Sequence, residues 1–289
     1  MKKIICVSVV LMFLLSGCSS FSEVDENKVK DISDKITQTI IDSVEKGIDE
    51  AEKNSAERKE SHKMEASGTG KLEIESSVGD IYLTTHDSTE VTIDIKITAR
   101  ADSKEKSQEL VDSFNYSVEE KWNTVKIDTK LDDVNLLSNN NMQTELTINI
   151  PKNIEITVIS LNVGEIIIDN TNGHLEVTNN VGDIKISNSD GSFNLKSDVG
   201  EITLNSCRPS GNTELKTNTG DIKASFSNIS GAQTIKAETG VGDIEISTPD
   251  DSSYEAEINE FMKDKTVIFK GNQDTKIELK TGVGDINFK

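Results

Sequence analysis

The chain has 289 residues, a formal net charge of −20 at pH 7, 4% aromatic residues and three prolines. So acidic a chain is a poor candidate for binding nucleic acid, anionic lipid or anionic wall polymers, unless cations bridge the charges. Its three cysteines do not form a disulfide framework, because Cys6 and Cys18 belong to an N-terminal targeting segment and Cys207 is left without a partner. We expect Cys207 to be a small buried hydrophobic residue.

The first residues have the layout of an export signal. Two lysines precede an apolar run over residues 4–15 that is too short to span a bilayer. The quartet LSGC at residues 15–18 resembles the lipobox of bacterial lipoproteins, which implies cleavage before Cys18 and attachment of a diacylglyceryl group to its sulfur. The alternative is an ordinary signal peptide that happens to contain Cys18. Acyl chains on Cys18 would anchor the protein to the bacterial cell membrane on its extracytoplasmic side.

Residues 24–66 have the pattern of an amphipathic helix or stalk. Apolar residues recur every three or four positions, which places them on one side of a helix. These residues are Val29, Ile32, Ile36, Ile40, Val44 and Ile48. The segment is interpreted as a stalk or as a helix that pairs with a partner helix, and the charged residues 52–65 could stay unfolded.

From residue 67 the period changes from that of a helix to that of a strand. The stretches KLEIESSVGDIYL and EVTIDIKITA alternate apolar and polar residues. A helix is predicted over residues 102–115, opened by Asp102 and Glu105 in capping-box positions, and a hairpin is predicted to turn near residues 122–124. Pro151 is predicted to lie between two strands rather than inside one.

The strongest signal is a repeat of a Gly, an acid and an Ile. The glycines that open it, which we call the signature glycines, are Gly79, Gly164, Gly182, Gly200, Gly220, Gly242 and Gly284. From Gly164 onward they are 18, 18, 20, 22 and 42 residues apart, and we count the last interval as about two periods. Spacing of about 20 residues is typical of a solenoid. We predict parallel coils stacked in register about 4.8 Å apart, which bury their aliphatic side chains only against one another.

The acid of the repeat is the functional candidate. It is predicted to form a row along one outer face, made of Glu165, Asp183, Glu201, Asp221, Asp243 and Asp285. One interpretation is a solvated ladder that discourages slippage between coils, with Lys185 and Lys223 relieving part of the repulsion. The other is a face that binds divalent cations or another ligand. Two further rows are predicted: a basic row of Lys196, Lys216, Lys236 and Lys280, and a capping row of Asn162, Asn180, Asp198 and Asn218.

The stretch INIPKNIEITVISLNVGEIIIDNTNGHLEVTNNVGDIKI resembles the DUF4097 family, whose members are commonly described as candidate adhesins. The resemblance covers residues 67–289 and implies a right-handed parallel β-solenoid in the cell envelope. It carries no established catalytic residues. The long interval between Gly79 and Gly164 departs from the repeat and leaves the packing of the first coil open.

The predicted fold is therefore mainly β: a right-handed parallel β-solenoid of about 18–22 residues per coil, preceded by an amphipathic helix and carrying an inserted helix and hairpin. The predicted divisions are a signal peptide (1–17), the lipidated Cys18 with a tether (18–23), the helix or stalk (24–66), the first part of the β domain (67–150) and the solenoid repeats (151–289).

Three functions fit this organisation. The first is a non-enzymatic, lipid-anchored surface module that binds an envelope protein or glycan, without a cofactor. The second is a regulatory partner of an envelope-stress system, suggested only by analogy with relatives of the DUF4097 family and by the apolar stripe from Val29 to Ile48. The third is a polysaccharide-acting β-helix enzyme. Its weakness is that repeated acids resemble ladders rather than one catalytic pair, and arginine is limited to Arg58, Arg100 and Arg208.

Overall fold

The computed structural model describes residues 54–66, 70–130, 142–260, 263, 265–272 and 274–289, which all belong to one compact unit, Asn54–Lys289. The strands in chain order are β1 (Ser55–Glu65), β2 (Lys71–His86), β3 (Glu90–Arg100), β4 (Ser117–Lys121), β5 (Thr124–Thr129), β6 (Met142–Pro151), β7 (Ile156–Val163), β8 (Ile166–Asp169), β9 (Asn172–Val181), β10 (Ile184–Ser187), β11 (Asp190–Val199), β12 (Ile202–Thr219), β13 (Ile222–Phe226), β14 (Gly231–Val241), β15 (Ile244–Ser247), β16 (Tyr254–Glu260), β17 (Thr266–Lys270), β18 (Thr275–Val283) and β19 (Ile286–Phe288). One helix, α1 (Lys104–Ser113), follows β3.

The strands form two long sheets that enclose the core. Sheet A runs in the order β1, β3, β6, second half of β2, β8, β10, first half of β12, β13, β15, β19. Sheet B runs in the order β4, β5, first half of β2, β7, β9, β11, second half of β12, β14, β18, β16, β17. Each coil adds a strand to sheet B, turns at a signature glycine and adds a strand to sheet A.

The stacked, parallel arrangement predicted from the repeat is confirmed. Equivalent isoleucines lie side by side in neighbouring coils, as Ile184 does between Ile166 and Ile202. All three are fully buried. Because each coil is only one strand pair thick, these side chains need the coils above and below in order to be fully buried. The right-handed sense of the winding stays a prediction.

The interval between Gly79 and Gly164 forms a layer of the stack rather than interrupting it. The two halves of β2 pair in parallel with β7 and β8 on one side and with β5 and β6 on the other. The first repeat therefore lies inside the stack, between the coil of β7 and β8 and the layer made by β5 and β6. The predicted hairpin is also confirmed, since β4 and β5 pair antiparallel around a two-residue turn at Trp122 and Asn123.

The interval from Gly242 to Gly284 is one coil, and the count of about two periods was wrong. Strand β14 pairs directly with β18, and β15 pairs directly with β19. The additional residues form β16 and β17, an antiparallel pair that extends sheet B beyond β18. Spacing along the chain cannot separate a further coil from an inserted hairpin, because strands of both kinds alternate apolar and polar residues.

The prediction of a helix or stalk over residues 24–66 was wrong at its C-terminal end. Residues 55–65 form β1, which pairs antiparallel with β3 along its whole length. Because β1 is an edge strand, charged residues lie on both of its faces and hide the period of two. The rest of the predicted helix, the signal peptide and Cys18 lie outside the described residues.

Helix α1 is confirmed, but its N-cap is Ser103 instead of Asp102. The Ser103 hydroxyl accepts a hydrogen bond from the backbone N–H of Lys106. The apolar side of this segment contacts the core, since Val111 and Phe114 are buried and Leu110 packs against the core. No helix in the described part of the chain has the length and apolar character that crossing a membrane requires.

Candidate functional site

The predicted row of acids exists, at the corner where each coil passes from sheet B to sheet A. We call this row the acid column. It is formed by the residues that directly follow the signature glycines. Its members are Asp80, Glu165, Asp183, Glu201, Asp221, Asp243 and Asp285. Backbone hydrogen bonds link this corner from coil to coil, as in the 2.9 Å bond that the Ile184 N–H donates to the Glu201 carbonyl oxygen.

The aspartates of the column hold neighbouring turns together. The Oδ1 atom of Asp183 accepts a hydrogen bond of 2.9 Å from the backbone N–H of Glu201, one coil further on. Asp80, Asp221 and Asp243 make the same contact with the next acid at 2.9, 2.9 and 2.8 Å. A carboxylate that accepts a backbone N–H is a strong, charge-assisted acceptor. The short aspartate side chain therefore links neighbouring coils by a hydrogen bond.

The two glutamates of the column are paired with lysines instead. Glu165 contacts Lys185, and Glu201 contacts Lys223, in each case across to the following coil. The hydrogen bonds that the two lysines donate to these carboxylates raise the pKa of both lysines. Within the described residues, no group of three or more His, Cys, Asp or Glu side chains could hold a metal ion. These contacts support the solvated-ladder interpretation, while binding of a divalent cation stays an untested prediction.

A second ladder, which the sequence interpretation missed, lies three residues before the signature glycines. Its side chains donate hydrogen bonds to the carbonyl oxygen of the preceding coil's signature glycine. The donors are Asn179 (2.8 Å), Ser197 (3.4 Å), Thr217 (3.1 Å), Thr239 (2.9 Å) and Thr281 (2.9 Å). All five are buried. The sequence did contain a signal for this ladder, because a small polar residue stands three positions before each of these signature glycines.

The predicted capping row stacks in two pairs. The Nδ2 atom of Asn180 donates to Oδ1 of Asn162 at 3.2 Å, and that of Asn218 donates to Oδ1 of Asp198 at 2.9 Å. Side-chain amides that repeat from coil to coil form ladders of this kind in stacked strands.

The predicted basic row was wrong. Lys196 does lie beside Lys216, but the next neighbour of Lys216 is Glu238, and Lys280 follows Glu238. The Nζ atom of Lys280 lies 2.9 Å from Oε1 of Glu238. Lys236 lies one row away, between Glu214 and Glu278. The longer coils take up their additional residues at the corner opposite the signature glycines, where the register shifts near Gly211, so counting along the chain misaligns this row.

One column of apolar side chains faces solvent along the same corner. We call it the Val column, and it is formed by the residues that directly precede the signature glycines. Its members are Val78, Val163, Val181, Val199, Thr219, Val241 and Val283. Its exposed valines have exposed fractions between 45% for Val163 and 60% for Val283. It runs between the capping row and the acid column. The sequence interpretation did not select these valines, because a valine in a strand is ordinarily core.

The tip of the hairpin between β4 and β5 carries a second exposed apolar group. The side chain of Trp122 is 96% exposed. Its backbone φ of 51° lies in the left-handed region, where bulky residues are strained. Two-residue hairpin turns with positive φ usually carry Asn or Gly at this position.

The chain is similar to one protein family and to several solved structures. The model of a family described as Toastrack DUF4097 matches residues 153–289. The chain is similar to a solved structure of a candidate cell adhesion protein from Clostridium sporogenes (15% identity, 81% of this chain and 99% of that chain, TM-score 0.32). It is also similar to a candidate adhesin from Bacteroides fragilis (17%, 80% and 97%, 0.42) and to a candidate lipid binding protein from Parabacteroides distasonis (14%, 80% and 97%, 0.27). No curated protein matches the chain. The resemblance expected over residues 67–289 is thus confirmed over residues 153–289, the part of the chain that matches the Toastrack DUF4097 family.

Proposed function

We propose that the protein is a non-enzymatic binding module, anchored by lipid on Cys18 outside the cytoplasm, that contacts an envelope protein or glycan through the Val column. The observation that carries the proposal is the exposure of an apolar residue at the same position of successive coils. Exposed apolar patches rimmed by polar residues commonly mark interaction sites.

The Val column is the part of the corner that the fold uses least. The isoleucine after each acid is buried, the small polar residue three before the glycine bonds to a carbonyl, and the aspartates bond to backbone N–H groups. A valine that is half exposed contributes little to the core, and a polar residue would be accommodated there. Its repetition as Val or Thr is therefore better explained by a ligand than by stability.

The shape of the column indicates an elongated ligand. Seven members separated by about 4.8 Å per coil give a stripe on the order of 29 Å long. The capping row on one side offers amide groups, and the acid column on the other offers carboxylates. An extended polypeptide or a glycan chain can lie along such a stripe and contact several coils at once.

The test compares two variants of the purified unit, residues 54–289. Val181→Glu places a charge in the Val column, and Thr178→Glu places the same charge at an exposed position of the same strand. Binding to intact envelope preparations is measured for both, before and after treatment with protease or with wall-degrading glycosidases. We expect Val181→Glu to weaken binding by about tenfold or more, which corresponds to at least about 1.4 kcal/mol.

The pretreatments identify the ligand class. Loss of binding after protease indicates a protein, and loss after glycosidase indicates a glycan. If Val181→Glu and Thr178→Glu bind as well as the unchanged protein, the Val column is not the ligand face. If the unchanged protein does not bind envelope material, the proposal of a binding module fails.

A further inference from the structure

The two sheets end in four edge strands within the described residues, and three of them are protected against pairing. Strand β1 has six charged residues among its eleven, and β4 has three among its five. Strand β19 has only three residues. Charged side chains and short edges are the usual means by which proteins prevent edge-to-edge association.

The corner next to β19 is capped by side chains. The Oε1 atom of Glu260 accepts a hydrogen bond of 2.8 Å from the Ile286 N–H, the group that in earlier coils donates to the next acid's carbonyl. The Nζ atom of Lys263 lies 3.0 Å from Oδ1 of Asp285. Both contacts occupy hydrogen-bonding positions that a further coil would use. They therefore prevent another coil from stacking next to β19.

Strand β17, the other edge of sheet B, has little of this protection. Its sequence is TVIFK, and it contains no charge before its last residue. Val267 and Phe269 lie on the outer face of the sheet, since they oppose Glu257 and Glu255 of β16. They are 41% and 59% exposed. An apolar edge strand with one unpaired side is a template for pairing with another strand.

We propose that β17 pairs antiparallel with β17 of a second copy of this chain, so that sheet B continues through a two-fold axis at Ile268. In this register Val267 of each copy lies opposite Phe269 of the other, and each covers the apolar side chain that its counterpart leaves exposed. An interface formed by the same patch on both copies is the commonest kind in homo-oligomers.

Charge favours the antiparallel direction. In a parallel pair Lys270 would lie beside Lys270 of the second copy, and like charges directly opposite one another are destabilising. In the antiparallel pair Lys270 lies opposite Thr266. One strand pair covers much less than the roughly 800 Å² per partner of a stable interface, so this association is transient and depends on concentration.

Cross-linking tests the two-fold centre directly. In residues 54–289 the native cysteine is Cys207, which is fully buried, whereas Ile268 is half-buried, so a cysteine introduced at Ile268 is the more accessible of the two thiols. Ile268→Cys and the control Glu119→Cys, at the centre of the edge strand β4, are treated with a short bis-maleimide at high protein concentration. Labelling with a single maleimide first establishes that both thiols react. We expect several-fold more covalent dimer from Ile268→Cys.

A second pair of variants tests the apolar contact. Phe269→Lys, added to Ile268→Cys, should reduce the dimer to the level of the β4 control, whereas Asn272→Lys, in the turn beyond β17, should leave it unchanged. The proposal is overturned if Ile268→Cys gives no more dimer than Glu119→Cys, or if Phe269→Lys leaves the yield intact. Unchanged melting temperatures establish that the variants are folded, and loss of the dimer leaves the test of the Val column unaffected.

Discussion

Replacing Gly182 by alanine tests whether the signature glycines are needed for contact between coils as well as for turn geometry. Gly182 has a φ of +128°, and a Cβ atom added there would lie 1.9 Å from the carbonyl oxygen and 2.8 Å from the carbonyl carbon of Gly164. Both are backbone atoms of the preceding coil, which is itself held by its neighbours. The collision therefore cannot be relieved by rotation of a side chain.

The expected loss of stability has two parts. A left-handed backbone at a residue with a side chain costs about 1–2 kcal/mol, and forcing a carbon atom into a packed site costs about 1–3 kcal/mol. Gly182→Ala should therefore lower the free energy of unfolding by about 2–5 kcal/mol, a large part of the 5–15 kcal/mol typical of a domain.

Gly211→Ala is the matched control. Gly211 also has a positive φ, of +65°, but an added Cβ would meet nothing within 4 Å. Its replacement should cost about 1 kcal/mol or less, because the strain is partly offset by the smaller conformational entropy of the unfolded chain. Urea unfolding of residues 54–289, followed by circular dichroism, gives both values if the slopes are unchanged. Equal destabilisation by the two variants would refute the argument that glycine is required by close approach of the coils.

Three further results are expected. Trp122→Asn should raise the free energy of unfolding by about 1 kcal/mol, because asparagine tolerates the left-handed φ of the hairpin turn, and a decrease would show that the indole contributes to stability. Lys280 lowers the pKa of Glu238 below its ordinary value of 4.5, so this contact stabilises the fold above that pH and loses its effect as the pH falls through the lowered pKa. Unfolding at pH 7 and at pH 3 should therefore show a deficit for Glu238→Gln that shrinks in acid, and a deficit independent of pH would contradict this. Burial raises the pKa of Cys207, so its thiol should react with a thiol reagent only as fast as the protein unfolds, and rapid reaction in the native state would be inconsistent with the fold.

The stacking of the coils could be predicted because its causes are local. Glycine is required where Cβ would meet the neighbouring coil, isoleucine is required where only apolar neighbours are available, and both recur at fixed positions. Alternation also identified β2, β3 and the hairpin of β4 and β5, since each has one buried and one solvated face. The residues that point inward, such as Ile184 and Ile202, followed from the same alternation.

The parts that could not be predicted depend on relations between distant residues. The sequence of β1 does not alternate visibly between apolar and polar residues. Its strand conformation depends on pairing with β3, which is distant in the chain. The hairpin of β16 and β17 has the length of a further coil, and only the direct pairing of β15 with β19 distinguishes the two. The register near Gly211 depends on how a corner absorbs additional residues, which spacing along the chain does not record.

The acid and the valine on either side of the signature glycine have surroundings opposite to those that their chemistry suggests. An acid repeated at every turn resembles a ligand site, yet in Asp80, Asp183, Asp221 and Asp243 the Oδ1 atom accepts a hydrogen bond from a backbone N–H of the next coil, so replacing these residues would disturb the fold before it disturbed any ligand. The valine resembles a core residue, yet half of it faces solvent, and its loss would leave the hydrogen bonds of the corner in place. In a solenoid the backbone N–H and C=O groups of each turn must find their hydrogen-bond partners in the neighbouring coils. Functional residues are therefore best sought at the repeated positions whose side chains the stack does not use, and at this corner that position is the valine.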